Sequence, residues 1–283
     1  MTFDYNENKQ VAVLLGAGSM GTSILERVAS EMKILLGDIS QDSLDHASKH
    51  FRYAGYDVET VVVDACSKDS IEQFAQKAAS LGEVKYFIDT AGASPNQAKP
   101  EFILRLDMVG TAYALDSFGK VMAHGGAGLV ISSQVHEMYP RPLTFEEEKA
   151  LTTYPSDELI NLPISKEAMV NSGSAYVIAK KANVLRVRKA AVDWGKRGAR
   201  INTVSPGIIV TPLAYDEFHA NGDAYQKMIE STPARRVGNP SEVANAAEFL
   251  LSDKASFITG TDLLIDGGTI AAIKAGTYQV QLQ

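Results

Sequence analysis

The chain has 283 residues, 45% of them hydrophobic, with 27 Lys and Arg against 34 Asp and Glu for a formal net charge of −7. That length can bury a large core without covalent staples. The acidic balance argues against nucleic acid or an anionic membrane as the main partner. The single cysteine, Cys66, excludes a disulfide framework or a cysteine metal cage and fits a reducing compartment. No apolar run approaches the roughly 18 residues of a membrane span. The polar opening stretch MTFDYNENKQ has no apolar core behind it, so no secretory leader is expected. The expectation is a soluble, cytoplasmic enzyme.

Short apolar runs rich in β-branched residues recur at 11–15, 34–36, 58–63, 86–88, 129–131, 201–204 and 263–265. Strands buried on both faces read this way. Between them Leu44, Ala47, Phe51 and Ala54 fall at helical spacing, as do Ile71, Phe74, Ala78 and Leu81. Asn239-Pro240-Ser241-Glu242 predicts a capped helix start. The alternation predicts an α/β fold, a Rossmann-type doubly wound parallel sheet of about seven strands, in one domain over 1–283. The rhythm breaks over 134–173, where prolines, the acidic run Glu146-Glu147-Glu148 and short helical patches replace any clean strand. A loop this long in a compact domain is usually functional. A lid-like insertion near the active site is expected, with a plain surface insertion as the alternative.

Gly16-Ala17-Gly18-Ser19-Met20-Gly21 stands between the first apolar run and a helical pattern, the context in which G-x-G-x-x-G signals a dinucleotide site. Its glycines allow a tight turn and close backbone approach to a pyrophosphate at a helix N-terminus. Asp38 closes the second run, where its carboxylate can accept hydrogen bonds from the adenosine ribose and would repel a 2′-phosphate. Ile39 and Ser40 follow it with no compensating cation, so NAD(H) is favoured over NADP(H). Asp64 and Ala65 follow the third run; the acid can meet adenine or merely cap a strand end. Thr90-Ala91-Gly92 follows the fourth run, small enough to let a flat cofactor pass, or simply a tight turn.

Tyr176 and Lys180 lie four apart, on one face of a predicted helix. A tyrosine needs its pKa lowered by about 3 units, or about 4 kcal/mol, to work as acid or base near neutrality. A unit positive charge at about 4 Å and an effective dielectric of about 20 supplies that much. Alone, the pair is most simply a solvated helix face. Ser132-Ser133 ends the fifth run, however, and Asn202-Thr203-Val204-Ser205-Pro206-Gly207 the sixth. In a doubly wound sheet the carboxyl ends of the strands face one crevice.

In this order of motifs the chain resembles the short-chain dehydrogenase/reductase family over nearly its whole length. The resemblance implies that Tyr176 is the general acid/base, that Lys180 lowers its pKa and binds the nicotinamide ribose, and that Ser133 orients the substrate oxygen. Ile209 and Thr211, after Pro206 and Gly207, correspond to residues at the carboxamide and phosphate end of the cofactor. Thr259 to Gly268 resembles the family's last strand. A homotetramer or dimer, and a small alcohol or ketone as substrate, are implied too. Three departures stand out. The glycine turn has the older Rossmann spacing rather than T-G-x-x-x-G-x-G. Asp107 occupies the place of a catalytic Asn that anchors a relay water; its charge would raise the Lys180 pKa if close, and a surface carboxylate is the alternative. Ser133 and Tyr176 are 43 residues apart, beyond the family's usual spacing, which places the insertion over the mouth of the site and points to bulky substrates such as steroids or cyclic alcohols.

His124, His136 and His219 lack metal-like spacing, so no metal is expected, and scattered histidines are more often surface groups. His136-Glu137 is set aside because neighbours on a strand point apart. Lys181, Arg186, Arg188, Lys189, Lys196 and Arg197 read as a solvated face, with a subunit interface as the alternative. The segment 212–237, with Phe218, Tyr225 and Met228, resembles a substrate loop, or is an ordinary pair of surface helices. The leading function is an NAD(H)-dependent alcohol/ketone oxidoreductase. A non-catalytic NAD(H)-sensing regulator and an epimerase or dehydratase using the same Tyr/Lys pair are the competitors.

Overall fold

All seven expected strands form in the computed structural model, which describes residues 10–96, 98–211 and 226–277. They are β1 (Gln10–Leu15), β2 (Lys33–Asp38), β3 (Asp57–Val62), β4 (Glu83–Asp89), β5 (Met122–Ile131), β6 (Arg200–Pro206) and β7 (Asp262–Ile265). They pair in parallel in the order 3-2-1-4-5-6-7. The order reverses between β1 and β4, and beyond the carboxyl ends at such a switch point a crevice opens. Strands β1, β2 and β6 are buried along most of their length because both faces are covered. Val11, Val13 and Leu15 face one layer, with Phe74, Phe87, Phe118 and Trp194. Ala12 and Leu14 face the other, with Ile24, Leu36, Phe51 and Val204, as the two-residue period of a strand requires.

Helices α1 (Ser19–Val28), α2 (Gln41–Tyr53) and α3 (Lys68–Leu81) connect the first four strands. Ser40 and Ser67 cap α2 and α3 by accepting backbone N–H groups. After β4 the chain runs as α4 (Pro100–Ile103), a widened π-helical stretch Leu104–Gly110 and α5 (Thr111–Phe118). Beyond β5 lie α6 (Phe145–Thr153), α7 (Pro163–Ala168) and the 24-residue α8 (Ser172–Gly195). After β6 come α9 (Pro240–Leu251) and, past β7, α10 (Thr269–Lys274). The capping box expected at Asn239 and Glu242 is present.

The segment 134–173 departs from the lid expectation. Only its first turn, Gln134–Met138, reaches the crevice. The rest buries Leu151, Leu159, Leu162, Ile164 and Ala168 in the core layer shared with α5 and α8. Those apolar side chains need a partner surface, and the core layer beside α8 supplies it. Polar ties fix the arrangement. Tyr113 donates to Asp157 Oδ1 at 2.7 Å, and Ser156 Oγ to Asp116 Oδ2 at 2.5 Å. Arg186, expected on a solvated face, is only 5% exposed. Its guanidinium donates to the Tyr154 carbonyl (2.7 Å) and Ser156 Oγ (3.1 Å), with Asp116 at 3.9 Å. The covering segment, which helical periodicity cannot foresee, is what buries it. Lys181, Arg188, Lys189, Lys196 and Arg197 do stay at or near the surface.

Candidate active site

The crevice beyond β1, β4, β5 and β6 holds a cleft of about 270 Å³. Sequence-predicted Ser133, Tyr176, Lys180 and Asp107 all line it, and so do Met20, Gly92, Pro206, Gly207, Ile209 and Thr211. Helix α8 carries Tyr176 and Lys180 one turn apart, with the Lys180 Nζ 5.4 Å from the centre of the Tyr176 ring. Asn171 caps that helix by accepting the Ser174 N–H at 2.7 Å. The two serines at the end of β5 have separate tasks. Ser132 is buried and donates to the Lys180 backbone carbonyl at 2.9 Å, tying β5 to α8. Ser133 is left at the cleft, where its Oγ accepts the Val135 N–H at 3.4 Å.

Asp107 is not a surface carboxylate: it is completely buried. The widened turn of the π-helical stretch carries it inward, and such turns recur at functional sites. Its Oδ2 lies 3.1 Å from Lys180 Nζ, and its Oδ1 accepts the Ala93 N–H at 2.9 Å. Burial lifts the Asp107 carboxyl above its ordinary pKa, with Lys180 and Ala93 opposing. Burial also works against the Lys180 ammonium, but Asp107 above all, then Tyr176 and Asp89, outweigh it and hold the lysine above its usual value. The expectation that Asp107 would raise Lys180 is met. Gly92 allows this packing, since a Cβ there would stand 2.9 Å from Asp107 Oδ2 and 3.3 Å from Lys180 Nζ.

At the other end of the crevice, Gly16 adopts φ +90° and packs on the Thr90–Ala91 backbone, where a Cβ would sit 2.6 Å from the Ala91 nitrogen. The Ala17 N–H donates to Asp38 Oδ2 and the Ser40 N–H to Asp38 Oδ1, both at 2.8 Å. Asp38 therefore braces the glycine turn. Helix α1 starts at Gly18 with no side-chain cap and no acid in its first turn, and a Cβ on Gly18 would meet nothing within 4 Å among the described residues. Its first N–H groups are thus left for an anion. Gly21 packs on Leu14 and Thr90, and Ser19 opens the helix. Asp64 is exposed and accepts the Cys66 N–H at 2.9 Å, while Ala65 is buried behind it against Gly110. An uncapped helix start, an acid at the end of β2 and a lysine–tyrosine pair at the crevice together fit a dinucleotide.

One expectation about side chains needs correction, and one buried acid went unremarked in the sequence. His136 is buried, 4% exposed, and sits in a 3₁₀ turn rather than on a strand. In that turn its Nδ1 comes within 3.7 Å of Glu137 Oε1, and its Nε2 within 3.1 Å of Asp262 Oδ2. Although burial pushes the Asp262 carboxyl up, hydrogen bonds from His136, Thr203 and Ser205 hold it below the ordinary range. This cluster pins the Gln134–Met138 turn to β6 and β7. Asp89, the unremarked acid, is 2% exposed at the end of β4. An acid closing an apolar strand, the pattern that marks Asp38 and Asp64, was the available signal. Phe218 and Tyr225 lie outside the described residues, whereas Met228 lines the cleft. No helix among the described residues is long and apolar enough to cross a membrane.

This fold and cleft define a nucleotide-dependent oxidoreductase architecture, and comparison with known proteins gives the family. A family profile described as enoyl-(acyl carrier protein) reductase matches residues 147–269. A short-chain dehydrogenase/reductase, bsc3 of Alternaria brassicicola, is 36% identical over 95% of this chain and 99% of its own length. The cis-4-hydroxycyclohexanecarboxylate dehydrogenase of Sinomonas cyclohexanicum is 27% identical over 93% of this chain and 97% of its own. The crystal structure of levodione reductase superposes with a TM-score of 0.75 at 23% identity, covering 94% and 100% of the two chains. The chain belongs to the short-chain dehydrogenase/reductase family, whose members use nicotinamide cofactors and act on alcohols and ketones.

Proposed function

We propose that this chain is an NAD(H)-dependent oxidoreductase that interconverts a secondary alcohol and a ketone, with Tyr176 as general acid/base. The observation that carries the reading is the buried Lys180 ammonium, held 3.1 Å from Asp107 and directly behind the Tyr176 ring. A cation fixed there favours the ionised phenol, the direction that a proton-transfer role for Tyr176 requires. When bound, the nicotinamide supplies the hydride chemistry. Ser133 hydrogen-bonds the substrate oxygen and holds it against Tyr176. In oxidation Tyr176 Oη takes the hydroxyl proton; in reduction it returns one. Lys180 holds the charge that makes both directions accessible.

Asp38 supports NAD(H) over NADP(H): its two oxygens fix Ala17 and Ser40 at the end of β2, and a carboxylate held there would oppose the charge of a nearby 2′-phosphate. A cyclic alcohol is the preferred substrate class, on the apolar wall of Val135, Met138, Ile208 and Met228 and on the relative named for a hydroxycyclohexane carboxylate. The test follows nicotinamide absorbance with NAD+ against steroids, cyclic alcohols, polyols and hydroxyacyl thioesters. One class should turn over with wild type and fail with Tyr176→Phe, which should still bind NADH. Turnover retained in Tyr176→Phe overturns the role of the phenol. A silent panel with NADH still bound would favour the sensing alternative.

A further inference from the structure

Behind the Tyr176–Lys180 pair lies an imbalance of buried charge. Lys180 is 4% exposed, Asp107 0% and Asp89 2%, so two carboxyl groups share the interior with one ammonium. Asp107 is well served, with the Lys180 ammonium at 3.1 Å and the Ala93 N–H at 2.9 Å. Asp89 accepts the Ala91 N–H at 3.1 Å through Oδ1 and faces the Thr111 hydroxyl, but it forms no ion pair among the described residues. If both acids ionised, the pocket would hold one uncompensated carboxylate away from water, a penalty of several kcal/mol. Interiors avoid that state by taking up a proton.

We propose that Asp89 and Asp107 share a single proton and together form the counter-ion of Lys180, with Asp107 ionised and Asp89 protonated in the resting protein. The charged and titratable neighbours agree. Lys180 is faced by Asp107 from the π-helical stretch, Asp89 from β4 and Tyr176 on α8. Asp107 is faced by Lys180 and, from the turn after β3, by the Cys66 thiol. Asp89 is faced by Lys180, Asp107 and the Thr111 hydroxyl. Burial pushes the Asp89 carboxyl up to about 7, against the pull of Ala91 and Lys180, as expected for two acids competing for one cation. Asp89 is thus a positioning residue. Protonated, it leaves the field of the ammonium directed at Tyr176; ionised, it divides that field.

This rests on Lys180 serving the proposed chemistry, but the decisive measurement needs no turnover. Infrared spectra of the full-length protein, taken as the pH is raised from 5 to 9 (about the carboxylate-to-lysine window), are compared for wild type, Asp89→Asn and Asp107→Asn. A buried protonated carboxylic acid gives a carbonyl band distinct from carboxylate. Wild type should show it at low pH and lose it as the pH passes neutrality. Asp89→Asn should lack it because the acid is gone. Asp107→Asn should also lack it, although Asp89 remains, because Asp89 must then ionise to pair Lys180. Circular dichroism and thermal unfolding check that each variant is folded. A band that persists in Asp107→Asn, or is missing from wild type at low pH, overturns the shared proton. The Tyr176→Phe kinetics would be untouched by that failure, so the two readings fail separately.

Discussion

Gly92→Ala perturbs the buried Asp107–Lys180 pair without altering any side chain proposed to act in the reaction. The new Cβ would stand 2.9 Å from Asp107 Oδ2 and 3.3 Å from Lys180 Nζ, where ordinary contact begins at 3.4 Å. The carboxylate must give way by about half an ångström and the ammonium by less. Both are buried, so neither can retreat into solvent. Overpacking a tight interior costs about 1–3 kcal/mol, or a melting temperature lower by several degrees. Misplacement of a catalytic group by about 1 Å can reduce turnover about a hundredfold, so half that shift should cost about tenfold. The assay is kcat for alcohol oxidation on folded protein, with thermal unfolding in parallel. A kcat within twofold of wild type would refute the claim that the Asp107–Lys180 contact has no slack.

Asp38→Asn removes the charge proposed to oppose a 2′-phosphate but keeps one acceptor. Because Asp38 is only half-buried, the gain for NADPH relative to NADH should be modest, about tenfold. An unchanged ratio in fluorescence titrations would argue against the ribose assignment. Arg186→Met strips two ties between α8 and the inserted segment and one to Asp116 of α5, and should lower stability in urea by about 3 kcal/mol while kcat stays within twofold; a stable variant with altered KM would return the segment to a lid role. Stability should also fall as pH rises from about 4 to about 7, because the folded Asp89 carboxyl keeps its proton up to about 7 while the unfolded one releases it near 3.8. Asp89→Asn should flatten that slope in denaturation curves taken across the range.

The sheet was legible because each strand holds a short apolar run, a property the run carries within itself. The glycine turn, Ser133 and the Tyr176–Lys180 pair were legible for a related reason: local spacing and position at strand ends suffice to bring them together. Arg186 and His136 were not. Whether a charged side chain is buried depends on what another part of the chain lays over it, and the partners of Arg186 are Tyr154 and Ser156, while that of His136 is Asp262. Asp107 was flagged by position but not by environment, since the widened helical turn that points it inward leaves no periodic trace. The covering role of 145–168 was hidden for the same reason: Leu151, Leu159 and Leu162 advertise burial but not the surface that buries them.

The inserted segment also bears on how the chain finds its fold. It lies between strands that must meet, because Ala127 of β5 pairs with Arg200 of β6 across a connection that contains all of α6, α7 and α8. Closing a loop becomes harder only with the logarithm of its length, about 0.6 kcal/mol per doubling. A segment of this size therefore adds little to the entropy of closure, while Leu151 and Leu159, each fully buried, return about 1.5–3 kcal/mol apiece. Chain length at this point is nearly free, so the connection can accept further residues on its outer surface without loosening the strands that hold Ser133 opposite Tyr176.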